Sequence, residues 1–204
     1  MIDFERSTVL NVESAMRGVR NPLQSWELSD SFEHEGRFIL GPNDRTLARR
    51  LVSSGSDHRK FLRQIFVSVD ITAPLYWWKE YDTYKVGTVA NSTSTMHTIH
   101  RQPITLDMFS CERLSPVALG CLDTLIRVIE DARQEYVKTG DVTAWNDIIQ
   151  LLPSSFNQTR TCTLTFENLL AMYQARRCHK LPEWREFCAW AETLPYFSEI
   201  CLEV

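Results

Sequence analysis

The sequence predicts an α+β fold in which two strands share one sheet and a long amphipathic helix packs on it. Isoleucine or valine occupies every second position from residue 65 to residue 71, which is the period-two pattern of a strand with one well-buried face over residues 64–71. Residues 159–165 alternate in the same way and predict a second strand. A capping serine followed by proline, Ser115-Pro116, then opens the clearest helix.

That helix is predicted to run from Ser115 until Thr139-Gly140 ends it, because glycine commonly terminates a helix. Its apolar positions recur three or four residues apart and define one face: Val117, Cys121, Leu125, Val128 or Ile129, and Ala132. We expect this face to lie against the sheet.

Shorter helices fill the rest of the chain. Asp44 is expected to cap a helix that runs to Ser53, and Pro74 to supply the fixed φ at the start of an aromatic-rich helix. Three further helices are predicted at residues 143–152, 166–177 and 182–193.

Composition limits the class of protein. With 204 residues and 44% hydrophobic residues, the chain fits a single globular domain over residues 1–204. A net charge of −4 gives no general attraction to nucleic acid or to an anionic membrane. The chain shows no export signal and no run of about eighteen apolar residues, so a cytoplasmic protein is expected. Six cysteines without a C-x-x-C pair favour free thiols over disulfides or zinc.

Residues 57–101 combine the features of a binding site. An alternating strand, the Ala73-Pro74 step, a helix with adjacent tryptophans and a run rich in hydroxyl side chains follow one another. The aromatic side chains leave two interpretations open, as ordinary core or as a platform on which a ligand ring stacks.

This stretch resembles the flavin-dependent thymidylate synthases. Asp57-His58 is similar to the family's Gly-His, residues 73–77 are similar to its Ala-Pro helix start, and Thr83-Tyr84-Lys85 stands at its Arg-His-Arg triplet. Residues 88–96 stand at its S-x-N-E-x-S-x-R-Y run. Similarity of lower specificity extends to residues 15–17, 152–153 and 166–186, so the collinear matches cover most of the chain.

The resemblance implies a central, mostly antiparallel sheet packed by helices, with FAD and dUMP bound between the subunits of a homotetramer. It also implies methylation of dUMP with methylenetetrahydrofolate. The cofactor-binding residues that it implies are His58, Tyr84 and Lys85. The substrate-binding residues that it implies are Thr88, Asn91, Thr93, Thr95 and Arg177. No residue is assigned a catalytic role.

Threonine stands at positions 83 and 95, where the family has arginine, and threonine cannot form the bidentate, charge-assisted contact that arginine makes with phosphate. Basic residues in the second half of the chain are alternative phosphate ligands, although they also suit a helix end that complements its own dipole: Arg160, Arg176, Arg177 and Lys180. His58, His97 and His100 have no carboxylate or cysteine at ligand spacing, so no metal site is expected.

Three functions are consistent with these features. The favoured one is a protein that binds a nucleotide or flavin with weakened or lost catalysis. The alternatives are an active flavin-dependent thymidylate synthase and a homo-oligomeric interaction protein without a ligand.

Overall fold

The computed structural model describes residues 2–84 and 86–202, and the chain divides into two compact units. Unit 1 comprises Met1–Asp3, Ile71–Thr83 and Asn91–Arg160. Unit 2 comprises Phe4–Asp70, Tyr84–Ala90 and Thr161–Val204. The division describes compactness rather than independent folding, so the single domain over residues 1–204 stays a prediction.

The described strands form two sheets. The strands are β1 (Asp3–Leu10), β2 (Phe32–His34), β3 (Arg37–Ile39), β4 (Phe66–Pro74), β5 (Val89–Ser92) and β6 (Asn157–Thr165). The main sheet has the strand order β1-β4-β6-β5, and β2 pairs with β3 as an antiparallel hairpin that places Phe32 opposite Ile39. The long strands β4 and β6 each contribute residues to both units.

Eight α-helices complete the described part of the chain. They are α1 (Val12–Val19), α2 (Pro42–Ser53), α3 (Leu75–Tyr81), α4 (Thr95–Thr98), α5 (Pro116–Thr139), α6 (Val142–Leu151), α7 (Phe166–Arg176) and α8 (Pro182–Thr193). Short 3-10 turns at Lys60–Gln64, Ile99–Arg101 and Leu106–Met108 lie between them. No helix among the described residues is long and apolar enough to span a membrane.

The predicted fold class is confirmed, because the chain combines helices with an antiparallel sheet in which β4 and β6 are neighbours. The strand predicted at residues 64–71 begins later, at Phe66, because Gln64 belongs to a 3-10 turn, and it extends further, to Pro74, which has an extended ψ of 151°. Pro74 therefore ends the strand and precedes α3, rather than forming the first residue of the helix.

The predicted bounds of α5 are correct, and its predicted buried face is correct in part, because Ile129 is buried and Leu125 and Ala132 pack against the same core cluster, whereas Val117 and Val128 are exposed. Ser115 caps the helix by accepting a hydrogen bond from the Ala118 N–H at 3.3 Å. Val117 is 79% exposed, whereas Ile126 and Ile129 are buried in a core cluster with Ile148 of α6. Because α5 packs chiefly against α6 and the turn at Ile99–Arg101, the buried face is rotated relative to the predicted one.

The capping role predicted for Asp44 is also wrong. Gly41 is the N-cap of α2, and Asp44 lies inside the helix with only 1% of its surface exposed. Its carboxylate accepts a hydrogen bond from Arg20 Nε at 2.7 Å, and Arg20 is itself 6% exposed. Although burial opposes ionisation, hydrogen bonds from Ser29, Ser31 and Arg20 hold the pKa of Asp44 below its ordinary value. This buried ion pair fixes the end of α1 to the start of α2.

Candidate functional site

Unit 1 contains a cavity of about 450 Å³, which we call the threonine cavity. The threonines that line it are Thr72, Thr93, Thr95, Thr98 and Thr159. They come from β4, from β6 and from the segment that follows β5, so residues distant in the sequence meet in one concave site. A volume of this size lies within the range of small-molecule sites, about 300 to 1,000 Å³.

Hydrogen bonds join β4, β6 and the segment that follows β5 at the threonine cavity. Thr72 Oγ1 and Thr159 Oγ1 lie 2.7 Å apart and share a hydrogen bond. The N–H of Thr93 donates to the Thr159 carbonyl at 2.9 Å, and Gln158 Nε2 donates to the Thr93 carbonyl at 2.9 Å. The chain that leaves β5 is therefore fixed to β6.

The short helix α4 places Thr95 and Thr98 on the cavity wall. Ser94 caps this helix by accepting a hydrogen bond from the His97 N–H at 3.3 Å. The hydroxyl of Thr98 donates to the Ser94 carbonyl at 2.5 Å, so the helix itself uses that hydroxyl. Within the described part of the chain, the hydroxyls of Thr93 and Thr95 make no hydrogen bond. These two hydroxyls are therefore available to form hydrogen bonds with a ligand.

An asparagine and a glutamine add amide groups to the same cavity. Ser110 Oγ donates to Asn157 Oδ1 at 2.8 Å. This hydrogen bond fixes the Asn157 side chain and leaves the Asn157 NH₂ group as a donor in the cavity. Gln102 lines the cavity on the segment that follows the turn at Ile99–Arg101. Ile99, Met108 and Phe156 supply apolar surface.

A charged network on α5 fixes the segment that carries Gln102. Glu130 accepts hydrogen bonds from Arg133 Nε at 2.7 Å and from the Ile104 N–H at 2.8 Å. Arg133 in turn donates to the His100 carbonyl at 3.1 Å. The hydrogen bonds from Arg133 outweigh desolvation and lower the pKa of Glu130 to about 2. Both ends of the short segment 100–104 are therefore attached to α5.

The charged side chains of the threonine cavity are acidic. Asp3 and Asp107 line it, and no lysine, arginine or histidine does so among the residues that the structure describes. His97 and Arg101 lie on the neighbouring segment but are not part of the cavity lining. The field in this cavity therefore favours donors and cations over anions.

Unit 2 contains a second concave site of about 600 Å³, which we call the basic groove. Its basic side chains are Arg50 of α2 and His58 and Lys60 at the 3-10 turn, and its apolar side chains include Leu47, Leu51 and Phe61. Asp57 is the acidic residue among its described lining. The groove lies between α1, α2 and the turn at Lys60–Gln64, so the buried pair of Arg20 and Asp44 also supports its walls.

Two arginines that could hold a phosphate contact other side chains of the protein instead. The guanidinium carbon of Arg160 lies 4.2 Å from the centre of the Trp78 ring, and its NH1 is 2.9 Å from Asp82 Oδ1. The guanidinium carbon of Arg176 lies 5.0 Å from the Trp184 ring, and its Nε donates to the Tyr84 hydroxyl at 3.0 Å. These contacts limit what either cation can offer a ligand.

The aromatic helix α3 is buried. Trp77, Trp78 and Tyr81 are at most 2% exposed, and Trp78 packs edge-on against both of the others. This burial supports the core interpretation of the aromatic side chains over the stacking platform.

The remaining predicted site residues are spread over the two units. Tyr84 packs edge-on against Trp184, and Thr88 donates to the Tyr84 carbonyl at 3.2 Å. Asn91 is exposed on β5, and Arg177 is exposed at the end of α7. Lys85 lies outside the described residues. Thr93 and Thr95 are the two members that one cavity brings together, and His58 lines the basic groove.

Sequence reasoning missed Thr72, Asn157, Thr159 and Asp107, which also line the threonine cavity. A signal for Thr72 was present, because Ser68, Asp70 and Thr72 alternate with the buried residues of β4 and mark its polar face. The same period-two argument applies to β6. The described residues contain no group of three or more histidine, cysteine, aspartate or glutamate side chains that could hold a metal ion.

Comparison with known proteins gives a likeness of structure. No protein-family model and no curated protein sequence matches the chain. A structure of the flavin-dependent thymidylate synthase ThyX from Helicobacter pylori with FAD and dUMP has a TM-score of 0.73 at 15% identity, covering 100% of this chain and 97% of that one. Another ThyX structure from this organism, also with FAD and dUMP, has a TM-score of 0.69 at 16% identity, covering 99% and 97%.

A third similar structure is the UMP/dUMP methylase PolB from Streptomyces cacaoi bound with 5-Br dUMP. It has a TM-score of 0.63 at 16% identity, and the match covers 98% of this chain and 94% of that one. At such identities the likeness establishes a shared fold over the whole chain and leaves the activity to be argued from the site.

Proposed function

We propose that this protein binds a flavin or a nucleotide on the flavin-dependent thymidylate synthase fold, with weakened or lost catalysis. The observation that carries the proposal is the fold likeness over 98% or more of the chain to structures that hold FAD, dUMP or 5-Br dUMP. The sequence resemblance around residues 57–101 points to the same family independently of the fold.

The proposed cofactor is FAD, and its proposed ligands are His58, Tyr84 and Lys85. The basic groove supports this assignment for His58, because Arg50 and Lys60 beside it offer charge-assisted hydrogen bonds to phosphate oxygens. The apolar side chains of Leu47, Leu51 and Phe61 give a surface that can cover an aromatic ring.

The proposed substrate-binding residues are Thr88, Asn91, Thr93, Thr95 and Arg177. Weak or absent catalysis follows from positions 83 and 95, where the resemblance expects arginine and the chain has threonine. A threonine hydroxyl provides one neutral hydrogen bond in place of a fixed pair of charged ones.

Active methylation is the second candidate, because both ThyX and the methylase PolB have this fold. The test of this candidate is whether thymidylate forms from dUMP and methylenetetrahydrofolate when the bound flavin is reduced chemically. Absence of product from protein that is fully loaded with flavin would exclude this candidate and leave binding without turnover.

We also propose a homotetramer, and an exposed apolar strip on α5 supports it. Val117, Cys121 and Val128 lie within about 40° of each other around the helix axis and are exposed. We expect Val128→Asp to lower the oligomer mass measured by light scattering. Val137→Asp is the control, because Val137 is also exposed but lies on the opposite side of α5. A wild-type monomer at micromolar concentration would contradict the tetramer.

Flavin binding is tested directly on the purified full-length protein. We expect the absorption spectrum of oxidised flavin to persist through gel filtration, or FAD to bind in calorimetric titration. Lys60→Ala and Arg50→Ala should each weaken FAD binding about ten-fold, the effect of losing a hydrogen bond to a charged group. Lys79→Ala, an exposed lysine on α3, is the control and should leave binding unchanged. If neither FAD nor dUMP binds at millimolar concentration, the result would contradict the proposal and favour an interaction protein.

A further inference from the structure

The lining of the threonine cavity determines which part of a ligand it can accept. We propose that this cavity binds an uncharged ligand of nucleoside size that donates hydrogen bonds, and that it excludes a phosphate monoester. The proposal rests on the proposed function to the extent that Thr93 and Thr95 are ligand-binding residues, and it goes further by naming the chemical class that they select.

The size and surface of the cavity fit a heterocycle joined to a sugar. About 450 Å³ is enough for a nucleoside, and Ile99, Met108 and Phe156 give the apolar contacts that a planar ring needs. The polar groups come from β4, β6, the segment that follows β5 and the turn at Leu106–Met108, so separate parts of unit 1 contribute to one site.

The available hydrogen-bonding groups are matched to a ligand with both donors and acceptors. The Asn157 NH₂ group and the unused hydroxyls of Thr93 and Thr95 can donate to carbonyl or hydroxyl oxygens. The exposed Asp107 carboxylate only accepts, so a ligand group that contacts it must be an N–H or O–H donor. A pyrimidine imide and the hydroxyls of a sugar offer such donors, whereas an ionised phosphate offers none.

Electrostatics exclude the phosphate. A phosphate monoester carries about −1.5 to −2 charges at neutral pH and would share the cavity with the Asp107 carboxylate. Among the described lining residues there is no cation to offset that repulsion. Thr95 stands at one of the two positions where the resemblance expects arginine, and the absence of a cation there leaves the cavity acidic.

The experiment compares deoxyuridine with dUMP, which differ only in the phosphate, by calorimetric titration of the full-length protein. We expect deoxyuridine to bind at least about five-fold more tightly than dUMP at low salt, because like charges in a partly enclosed site repel. Inorganic phosphate should not compete with deoxyuridine. Thr95→Val should weaken deoxyuridine binding by about two- to ten-fold through the loss of one neutral hydrogen bond.

Two charge variants test the electrostatic cause. Asp107→Asn should shift the ratio of the two dissociation constants toward dUMP by about five-fold, and Thr95→Arg should shift it further because it adds a cation at the cavity wall. Asp131→Asn is the matched control, since Asp131 is exposed on α5 and does not line the cavity. It changes the net charge of the protein equally and should leave the ratio unchanged.

Several results would overturn the proposal. They are dUMP binding as tightly as deoxyuridine, no deoxyuridine binding at millimolar concentration, or an equal shift for Asp107→Asn and Asp131→Asn. The FAD titration reports separately on the proposed function, because its variants lie in the basic groove of unit 2. A protein that binds FAD but fails the deoxyuridine test would therefore contradict only this inference.

Discussion

The threonine cavity of unit 1 and the basic groove of unit 2 have similar size and opposite electrostatic character. Hydroxyls, amides and two carboxylates line the first, whereas Arg50, His58 and Lys60 stand beside aliphatic and aromatic side chains in the second. The backbone fold provides both concave sites, but the side chains decide which ligand charge each one tolerates. A likeness of fold to proteins that bind FAD and dUMP thus leaves room for a different distribution of phosphate contacts.

The two sites also differ in what holds their walls. A buried ion pair between Arg20 and Asp44 fixes two helices at the basic groove. Neutral hydrogen bonds between strands, such as that between Thr72 and Thr159, fix the threonine cavity together with the network around Glu130. Variants that remove one support at a time can therefore separate the two sites.

The largest expected effect comes from Asp44→Ala, which leaves the Arg20 guanidinium buried without its carboxylate. We expect the free energy of unfolding to fall by about 3 to 5 kcal/mol, the range for breaking a buried pair. Urea denaturation measures it. Asp123→Ala removes an exposed ion pair with Arg127 and should cost less than about 1 kcal/mol. Equal losses for the two variants would show that the buried pair contributes nothing special to the groove.

The second-largest effect is expected from variants that distinguish two sets of cations as ligands of the phosphate. One set is Lys85 with Arg177, and the other is the basic groove. Arg177→Ala and Lys85→Ala should each weaken binding of dUMP or flavin by about 1 to 3 kcal/mol if these residues contact the ligand phosphate. Calorimetric titration of these variants beside Lys60→Ala distinguishes the two sets of cations. Lys138→Ala, at the exposed end of α5, is the control. If neither variant changes binding while Lys60→Ala does, the basic groove alone holds the phosphate.

The pH dependence of stability tests the support of the threonine cavity. The folded-state pKa of Glu130 is about 2, against an ordinary value of 4.5. Because the folded pKa is depressed, the stabilisation is complete above about pH 4.5 and is lost as the pH falls toward about 2.

Glu130→Gln should therefore remove about 2 kcal/mol at neutral pH and flatten the decline of stability between about pH 4.5 and pH 2. Glu135→Gln, at an exposed position of the same helix, should leave the pH profile unchanged. An unchanged profile for Glu130→Gln as well would show that the network does not stabilise the folded chain.

The smallest effect is expected for Thr72→Val, which removes the hydrogen bond to Thr159 with little change in volume. Stability should fall by about 1 kcal/mol, and deoxyuridine affinity should fall while FAD affinity stays constant. Thr143→Val, an exposed position at the start of α6, provides the comparison and should change neither. A parallel loss of FAD affinity in Thr72→Val would show that the two sites are coupled.

The sequence alone predicted the elements whose signals are local. The alternation of apolar and polar residues identified β4 and β6, and α5 was delimited by its N-terminal serine and proline and its C-terminal glycine. Both signals are local, because caps and periodicity depend on residues within a few positions. The resemblance around residues 57–101 anticipated the shared fold, and it pointed to Thr93 and Thr95, which the structure places in one cavity.

Only the tertiary structure decided which partners the side chains have. The sequence around Asp44 predicts a helix cap, but in the folded chain Arg20 lies beside it and donates a hydrogen bond to its carboxylate. The buried face of α5 likewise depends on where α6 packs. The acidic character of the threonine cavity results from the combination of Thr95, Asp107, Asn157 and other residues that are far apart in the chain. No short-range sequence pattern predicts this combination, because the electrostatic field in a cavity depends on distances that folding alone establishes.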